Sequence, residues 1–354
     1  MKVYQLGIQP GFASMTCFHA LARLEEEAVV VVSPLEPYVS VGYFQNREQV
    51  MDEVKCRELG LPVIRRKVGG GTVLLDMNQI FYHVILRRDN PLLPLSVEER
   101  YRKFSQAPIN TYRRLGVPVR FKPVNDILTE SGRKISGEGG ANIGHCAVFT
   151  GSIILDFDVE TMVKILRVPD EKFRDKIQKT LAGNISTLKQ ELGQVPLRAE
   201  IEKVLIQEWE TLFGPLEPGI LTEEILAEMA QVEKELTSEA FWESSPQRAW
   251  PPLKIKAGTY VGQGNFKAIG GLITVMIILD GERLAEVEFS GDFSLEPKEG
   301  LRDLNQALTG LDIQPGSIEN ALQQVIEGKK LDLPGVCAAD LAQAVINALP
   351  ANKE

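Results

Sequence analysis

Cysteine is scarce and scattered in this chain. Cys17, Cys56, Cys146 and Cys337 are spread over 354 residues, with no CxxC pair. That spacing argues against a structural zinc site or a disulfide framework, and the simplest setting for it is a reducing cytoplasm. Histidine is scarcer still. His19, His83 and His145 have no partner at metal-ligand spacing, so the first two are read as helix and strand packing rather than as ligands. Long apolar runs are missing: residues 28–32 and 272–279 are far too short to span a bilayer. The opening MKVYQLGIQPGFAS has neither an apolar h-region nor a small-residue cleavage pattern, and no signal peptide is expected. Positive charge is outweighed, with 39 Lys and Arg against 48 Asp and Glu, a net charge of −9. An acidic surface disfavours nucleic-acid and membrane partners and confines any anion site to a local basic pocket. Two nucleotide fingerprints are also absent. There is no GxxxxGK[ST] loop, and in GQGNFKAIGG (262–271) Lys267 stands where a dinucleotide motif needs its third glycine.

What is present has the balance of a folded protein: 44% apolar and 25% charged residues, enough chain to bury a real core. Apolar spacing predicts helices over 16–27, 47–59, 97–115 and 159–166, and strands over 28–33, 38–44, 63–66, 72–76, 80–87, 119–122, 127–129, 133–136 and 148–156. Residues 198–236 read as helical, broken at Gly214-Pro215. At 243–252 the composition shifts to ESSPQRAWPP, the texture of a domain joint. Strands are predicted at 254–261, 272–280 and 283–290, the last two joined by the hairpin signal Asp280-Gly281, then helices at 297–308, 316–327 and 338–348. The expectation is a large α+β domain over 1–245 and a small α+β domain over 250–354, with no internal repeat.

Two stretches carry chemistry. In IRRKVGGGTVLLD (64–76), three consecutive glycines follow Arg65, Arg66 and Lys67. Glycines admit positive φ and let a ligand or another backbone approach, and a glycine turn can aim several N–H groups at one anion. The reading is either a pocket for a carboxylate or phosphate or a tight turn with solvated arginines. In VNDILTESGRKISGEGG (124–140), Asn125 and Asp126 stand ahead of a strand, and Lys134 sits on a strand followed by Gly137, Gly139 and Gly140. An acidic residue here can hold Mg²⁺, an amine or a ribose. A lysine beside glycines can reach an acyl carboxylate and a phosphate together.

Taken in order, these stretches resemble the lipoate–protein ligase family, within the superfamily of biotin ligases and octanoyltransferases. YVSVGYFQN (38–46) resembles the family's strand ending in Gly-x-x-Gln-Asn. RRKVGGGTVLLD resembles its RR-x-S-GGG-A-V-x-x-D signature, NDILTESGRKISG its Asn-Asp pair and K-I-S-G lysine motif, and TGSIILDFD the following strand. SGDF (290–293) and the hairpin at 280 resemble the accessory domain fused to many ligases. The resemblance implies a large mixed-sheet biotin/lipoate-ligase-like catalytic domain with a C-terminal accessory lid. It implies activation of lipoate or octanoate by ATP as an acyl-adenylate, then transfer to a lysine of a lipoyl carrier protein such as glycine cleavage H protein or an E2 lipoyl domain. Lys134 would be catalytic. Arg66, Gly69, Gly70, Gly71, Thr72, Asp76, Asn125 and Asp126 would bind substrate and ATP, with Asp126 toward Mg²⁺. Apolar positions in 38–44 and 72–75 would line the acyl tunnel, where burial supplies about 0.8 kcal/mol per CH₂.

Three departures stand against that pattern: Val68 where the family has Ser or Thr, Leu75 where a histidine is common before Asp76, and Thr150 where a histidine precedes Gly151. A further residue opens an alternative. Octanoyltransferase relatives use a cysteine thioester beside a lysine, and Cys146 lies twelve residues after Lys134. A thiolate activated by that lysine would make the chain an octanoyl or lipoyl transferase without ATP. The bland reading of Cys146 is a small core residue. A third reading, a non-catalytic lipoyl-domain-binding protein, is opposed by Arg66, Gly69–Gly71, Asp126 and Lys134 standing together in the sequence.

Overall fold

The computed structural model describes residues 1–168, 171–244, 259–314 and 316–350. Most of the joint expected at 243–252, and the first residues of the strand expected at 254–261, lie outside the described residues. The chain divides into two compact units. The first comprises Met1–Val41, Arg47–Val68 and Thr72–Thr237. The second comprises Ser238–Glu354 together with two short segments from far upstream, Gly42–Asn46 and Gly69–Gly71.

The first unit runs β1 (Lys2–Gln9), α1 (Ala13–Arg23), β2 (Ala28–Pro34), β3 (Tyr38–Val41), α2 (Arg47–Val50), α3 (Glu53–Glu58), β4 (Val63–Arg65), β5 (Val73–Leu75), β6 (Gln79–Arg87), α4 (Val97–Phe104), α5 (Gln106–Arg114), β7 (Val119–Lys122), β8 (Asp126–Thr129), β9 (Lys134–Gly137), β10 (Gly139–Ile143), β11 (Cys146–Ile154), α6 (Val159–Ile165), α7 (Glu171–Asn184), α8 (Leu188–Leu192), α9 (Arg198–Phe213), β12 (Glu217–Pro218) and α10 (Glu223–Leu236). A six-stranded mixed sheet, ordered β10-β11-β6-β2-β1-β12, is its centre, and the architecture is α+β as the sequence implied. All seven residues of β2 are buried, because helices cover the sheet on both faces. On β6, Tyr82 and Val84 point into a core with Phe104, Phe149, Leu205 and Trp209, while the intervening His83 points to the opposite face, under α1. Two small sheets flank the large one: β4-β3-β5, which carries the first motif, and the meander β7-β8-β9, which carries the second.

Several elements differ from the sequence expectation for local reasons. The helix over 97–115 is two helices. Pro108 has no N–H to give to the turn before it, and is accommodated in the first turn of a new helix, α5. The helix over 47–59 also breaks, where Met51 bridges Leu166 and Asp52 caps α3 by accepting from the Lys55 N–H at 2.9 Å. The strand over 148–156 starts at Cys146, because Gly144 (φ 57°) and His145 make a two-residue hairpin with Ile143 paired to Cys146.

The second unit contains α11 (Glu239–Ser244), then an antiparallel sheet of β13 (Thr259–Ala268), β14 (Gly271–Asp280) and β15 (Arg283–Gly291), then α12 (Gly300–Leu308), α13 (Ser317–Lys329) and α14 (Ala338–Ala348). The hairpin falls at Gly281 (φ 65°), as Asp280-Gly281 implied. Its core includes Ile277, Phe289, Phe293, Leu304 and Leu341, and Phe44 from the upstream segment.

Candidate active site

The meander β7-β8-β9 places the second motif. Asp126 pairs with Gly137 and Lys122, and Leu128 with Lys134. Between Ile127 and Leu128 the register slips by one residue, a bulge that re-aims the start of β9. Lys134, about half exposed, reaches back across the strand, and its Nζ stands 2.6 Å from Asp126 Oδ1. Lys122 Nζ lies 3.9 Å from the other carboxylate oxygen. Gly137 makes this reach possible: a Cβ there would lie 2.5 Å from Lys134 Cε and Nζ. The Lys134 carbonyl accepts from the Ser186 N–H at 2.8 Å, tying the segment after α7 to the lysine.

Asn125 is held by the backbone of Glu138. Its side-chain amide donates to the Glu138 carbonyl at 2.6 Å, and its own carbonyl accepts from the Glu138 N–H at 2.8 Å. Glu138 itself is 4% exposed. Its Oε1 accepts from Tyr82 Oη at 2.7 Å and lies 3.0 Å from Ser136 Oγ, while Oε2 has no hydrogen-bond partner among the described residues. Burial pushes this carboxyl up to about 7, against the opposing pull of the two hydroxyls and of Lys134. Sequence reading passed over Glu138. The signal was available as a carboxylate inside a glycine-rich, otherwise apolar motif.

The first motif is built on the parallel pair β3–β4. Arg66 is 8% exposed, with its Nη1 3.1 Å from the Ser40 carbonyl and 3.3 Å from Ser40 Oγ. Burial lowers it to about 10, which leaves the guanidinium charged at neutral pH. Thr72 is buried beside β5. Asp76 serves the turn between β5 and β6: Oδ1 accepts from the Asn78 N–H at 2.9 Å, and burial raises its pKa. Val68 is buried, and a Cβ on Gly139 would lie 2.7 Å from its Cγ1, while one on Gly140 would lie 3.2 Å from the Val148 carbonyl oxygen and 3.3 Å from Tyr101 Oη. Both glycines after the lysine motif are thus packing glycines. Gly69–Gly71 group with the second unit. Gly70 needs its positive φ of 88°. Gly69 is needed because a Cβ there would lie 2.7 Å from the Phe293 carbonyl oxygen.

A buried polar cluster lies on the α1 face of the sheet. The Thr150 hydroxyl donates to His83 Nδ1 at 2.7 Å, and His83 Nε2 donates to the Ser14 carbonyl at 3.1 Å. Burial drops His83 to about 3, so the ring is neutral, and the two partners fix its tautomer. Ser14 Oγ meets Tyr38 Oη at 2.8 Å. Thr150 is registered on His83, directly across the strand pair. His19 bonds Met15 and receives the Lys67 N–H.

The structure does not bring Cys146 to Lys134. Ser136 Oγ meets the Ser152 carbonyl at 2.8 Å, and Cys146 lies six residues up the same strand from Ser152, roughly 20 Å away. Its thiol is buried and pushed up to about 11, by burial first and then by Glu25 and Glu27. Cys17 and Cys56 are also buried with raised thiols, and Cys337 in the second unit sits against its own helix cap at Asp340. Nor do the residues present form a metal cage. No group of three metal-ligating side chains occurs among the described residues, and both Asp126 oxygens face ammonium groups. No described helix is long and apolar enough to cross a membrane.

Comparison with known proteins gives the relatives of the chain and of its fold. An octanoyltransferase LipM from Kyrpidia tusciae is 29% identical over 212 residues, 53% of this chain and 76% of that protein. Lipoate–protein ligase 2 of Staphylococcus aureus is 22% identical over 296 residues, 82% of each. Among solved structures, LipL1 of P. falciparum in complex with lipoate superposes with a TM-score of 0.68 at 14% identity over 98% of each chain. The bipartite lipoate protein ligase of Thermoplasma acidophilum gives 0.62 at 23% identity, over 70% of this chain and 98% of that one. These likenesses establish the shared fold. The sequence model of the lipoyl protein ligase A/B catalytic domain matches residues 12–210, a span that holds both motifs, and the chain belongs to that family.

Proposed function

We propose that the protein is an ATP-dependent lipoate– or octanoate–protein ligase. In the first step a carboxylate oxygen of the fatty acid attacks the α-phosphorus of ATP and pyrophosphate leaves. In the second, the ε-amine of a carrier lysine attacks the acyl carbon, loses a proton, and AMP leaves. The observation that carries this reading is the Lys134 ammonium, presented on β9 by Gly137 and Asp126, with Cys146 at the far end of β11. A fixed cation of this kind stabilises charge as it develops on acyl and phosphate oxygens. Asp126 holds Lys134 in place until the anion arrives, and Arg66 is a buried cation held in a fixed position. Mg²⁺ is proposed to arrive with the nucleotide's phosphates, which it bridges. Acyl carriers of the lipoyl-domain type, including the glycine cleavage H protein, are the proposed acceptors, and residues 250–354 are proposed to act as the accessory lid.

A second reading, octanoyl transfer between carrier proteins, draws support from relatives named as octanoyltransferases. Intact mass of a purified apo lipoyl carrier separates the two. The carrier is incubated with this protein, Mg²⁺ and lipoate or octanoate, with and without ATP. An acyl mass increment that requires ATP, falls on the order of 10²- to 10³-fold in Lys134→Ala and survives Cys146→Ala is the expected result. An increment obtained only from an octanoyl-carrier donor, and lost in Cys146→Ala, would replace the ligase by the transferase.

A further inference from the structure

The strand that carries Lys134 shares no backbone ladder with the six-stranded sheet: β9 pairs with β8, in a sheet of its own. Side chains make the tie instead. The Ser136 hydroxyl donates to the Ser152 carbonyl on β11 at 2.8 Å. Tyr112 Oη donates to the Ile135 carbonyl at 2.8 Å and accepts from the Ile154 N–H at 3.1 Å. Ser136 Oγ has two further oxygen neighbours, Glu138 Oε1 at 3.0 Å and Tyr82 Oη at 3.2 Å, and Tyr82 Oη lies 2.7 Å from the same Oε1. Protons decide how these contacts are filled. Ser136 has one to give, and the Ser152 carbonyl can only accept. With a proton on Glu138 Oε1 the donors run in one direction, Tyr82 to Glu138 to Ser136 to Ser152, and each of the three contacts holds a hydrogen. Without it, the contact between Oε1 and Oγ takes the proton of Ser136, and the Ser152 carbonyl loses its donor.

We propose that Glu138 is a positioning residue for Lys134: its carboxyl proton completes the chain that holds β9 on the central sheet, and its ionisation releases Ser136 from Ser152 and slows the reaction at Lys134. Lys134 and Ser136 share a strand of four residues, so a shift at one end is felt at the other. A displacement of about 1 Å at a reacting group can cost on the order of 10²-fold in rate. Glu138 is buried and its Oε2 has no hydrogen-bond partner among the described residues, so the site is built for the neutral carboxyl more than for the ion. The titratable groups that act on it come from four elements. Lys134 on β9 favours its charge and Asp126 on β8 opposes it, while burial keeps Tyr82 on β6 and Tyr112 on α5 neutral. With the carboxyl at about 7, its protonated fraction falls from about 0.9 at pH 6 to about 0.03 at pH 8.5. The inference rests on the ligase reading, in which Lys134 meets the reacting oxygens.

The test is kcat for carrier acylation from saturating ATP and octanoate, measured between pH 6 and 8.5. Four full-length proteins are compared: wild type, Glu138→Gln, which has no carboxyl proton to lose, Ser136→Ala, which has no hydroxyl to redirect, and the double variant. Thermal unfolding checks that each is folded at the assay temperature, and the comparison of wild type with Glu138→Gln stands without the other two. Ratios taken at each pH cancel the titration of the carrier lysine and of the nucleotide. The ratio of wild type to Glu138→Gln should fall on the order of 3- to 10-fold from pH 6 to 8.5. The ratio of Ser136→Ala to the double variant should stay within about twofold over the same range. A first ratio that is flat, or a second that falls as steeply as the first, overturns the positioning role. Wild type that acylates no carrier in the presence of ATP overturns the ligase reading, and this inference falls with it.

Discussion

Glu138 offers a quantitative check on the site's electrostatics. Its carboxyl stands at about 7 in the folded protein against an ordinary 4.5, with burial as the main cause. A folded-state pKa raised above the unfolded value means that the folded protein binds the proton more tightly. Stability from this group is therefore greatest below about pH 4.5, declines as pH rises, and levels off above about 7. The shift of roughly two and a half units corresponds to about 3 kcal/mol at about 1.4 kcal/mol per unit. Glu138→Gln removes the titration and keeps an oxygen for Tyr82 and Ser136. Its amide nitrogen would occupy the place of Oε2, which has no partner among the described residues, but that cost is the same at every pH. Urea unfolding of wild type and variant at pH 5, 6, 7 and 8 isolates the effect, because every other titrating group is common to both. The variant should gain stability relative to wild type by up to about 3 kcal/mol between pH 4.5 and 8, most of it below pH 7. A difference that does not change with pH would refute the assignment of a buried, titrating carboxyl at this position.

Further outcomes follow from the same geometry. Gly137→Ala should leave unfolding free energy within about 1 kcal/mol, because the obstructing atoms end a flexible side chain. It should nonetheless displace the Lys134 ammonium and lower carrier acylation on the order of 10- to 100-fold, read by intact mass. Thr150→Val keeps the shape and removes the hydroxyl that serves His83 Nδ1, so denaturant unfolding should show a loss of about 1–3 kcal/mol. Cys146→Ala should leave the rate of carrier acylation within about twofold, since its thiol is buried near Glu25 and Glu27 and far from Lys134.

The sequence made legible those elements whose cause is local. Asp280-Gly281 announces its hairpin because the turn needs a residue at positive φ. The run Ala28–Pro34 announces a strand covered on both faces. Two elements left no such mark. β1 carries polar and apolar residues along a half-covered edge region, and α7 exposes Phe173 and has no clean apolar stripe. At the site, the order of Arg66, Asp126 and Lys134 was readable, but their partners were not. The Lys134–Asp126 pair depends on a bulge that moves the register by one residue, and the His83–Thr150 pair joins positions 67 residues apart. Cys146 shows the converse. Twelve residues of sequence separation from Lys134 suggested proximity, yet the hairpin at Gly144 sends the cysteine to the far end of β11. The glycine run was read as an approach point for a ligand or another backbone, and the approach visible in the structure is made by the chain itself.

The composition of the second unit sets an order of events during synthesis. Phe44 and Gly69–Gly71 leave the ribosome early, but Phe293 follows Gly69 only after roughly 220 further residues, on the order of 10–45 s at ordinary elongation rates. For that interval an aromatic side chain and the least constrained stretch of backbone await the surface that will order them. A message or chain cut short before residue 291 would release a protein with both signature motifs intact and without the residues that pack on the glycine run. It would match the family by sequence, yet lack the contacts that give three adjacent glycines a single conformation.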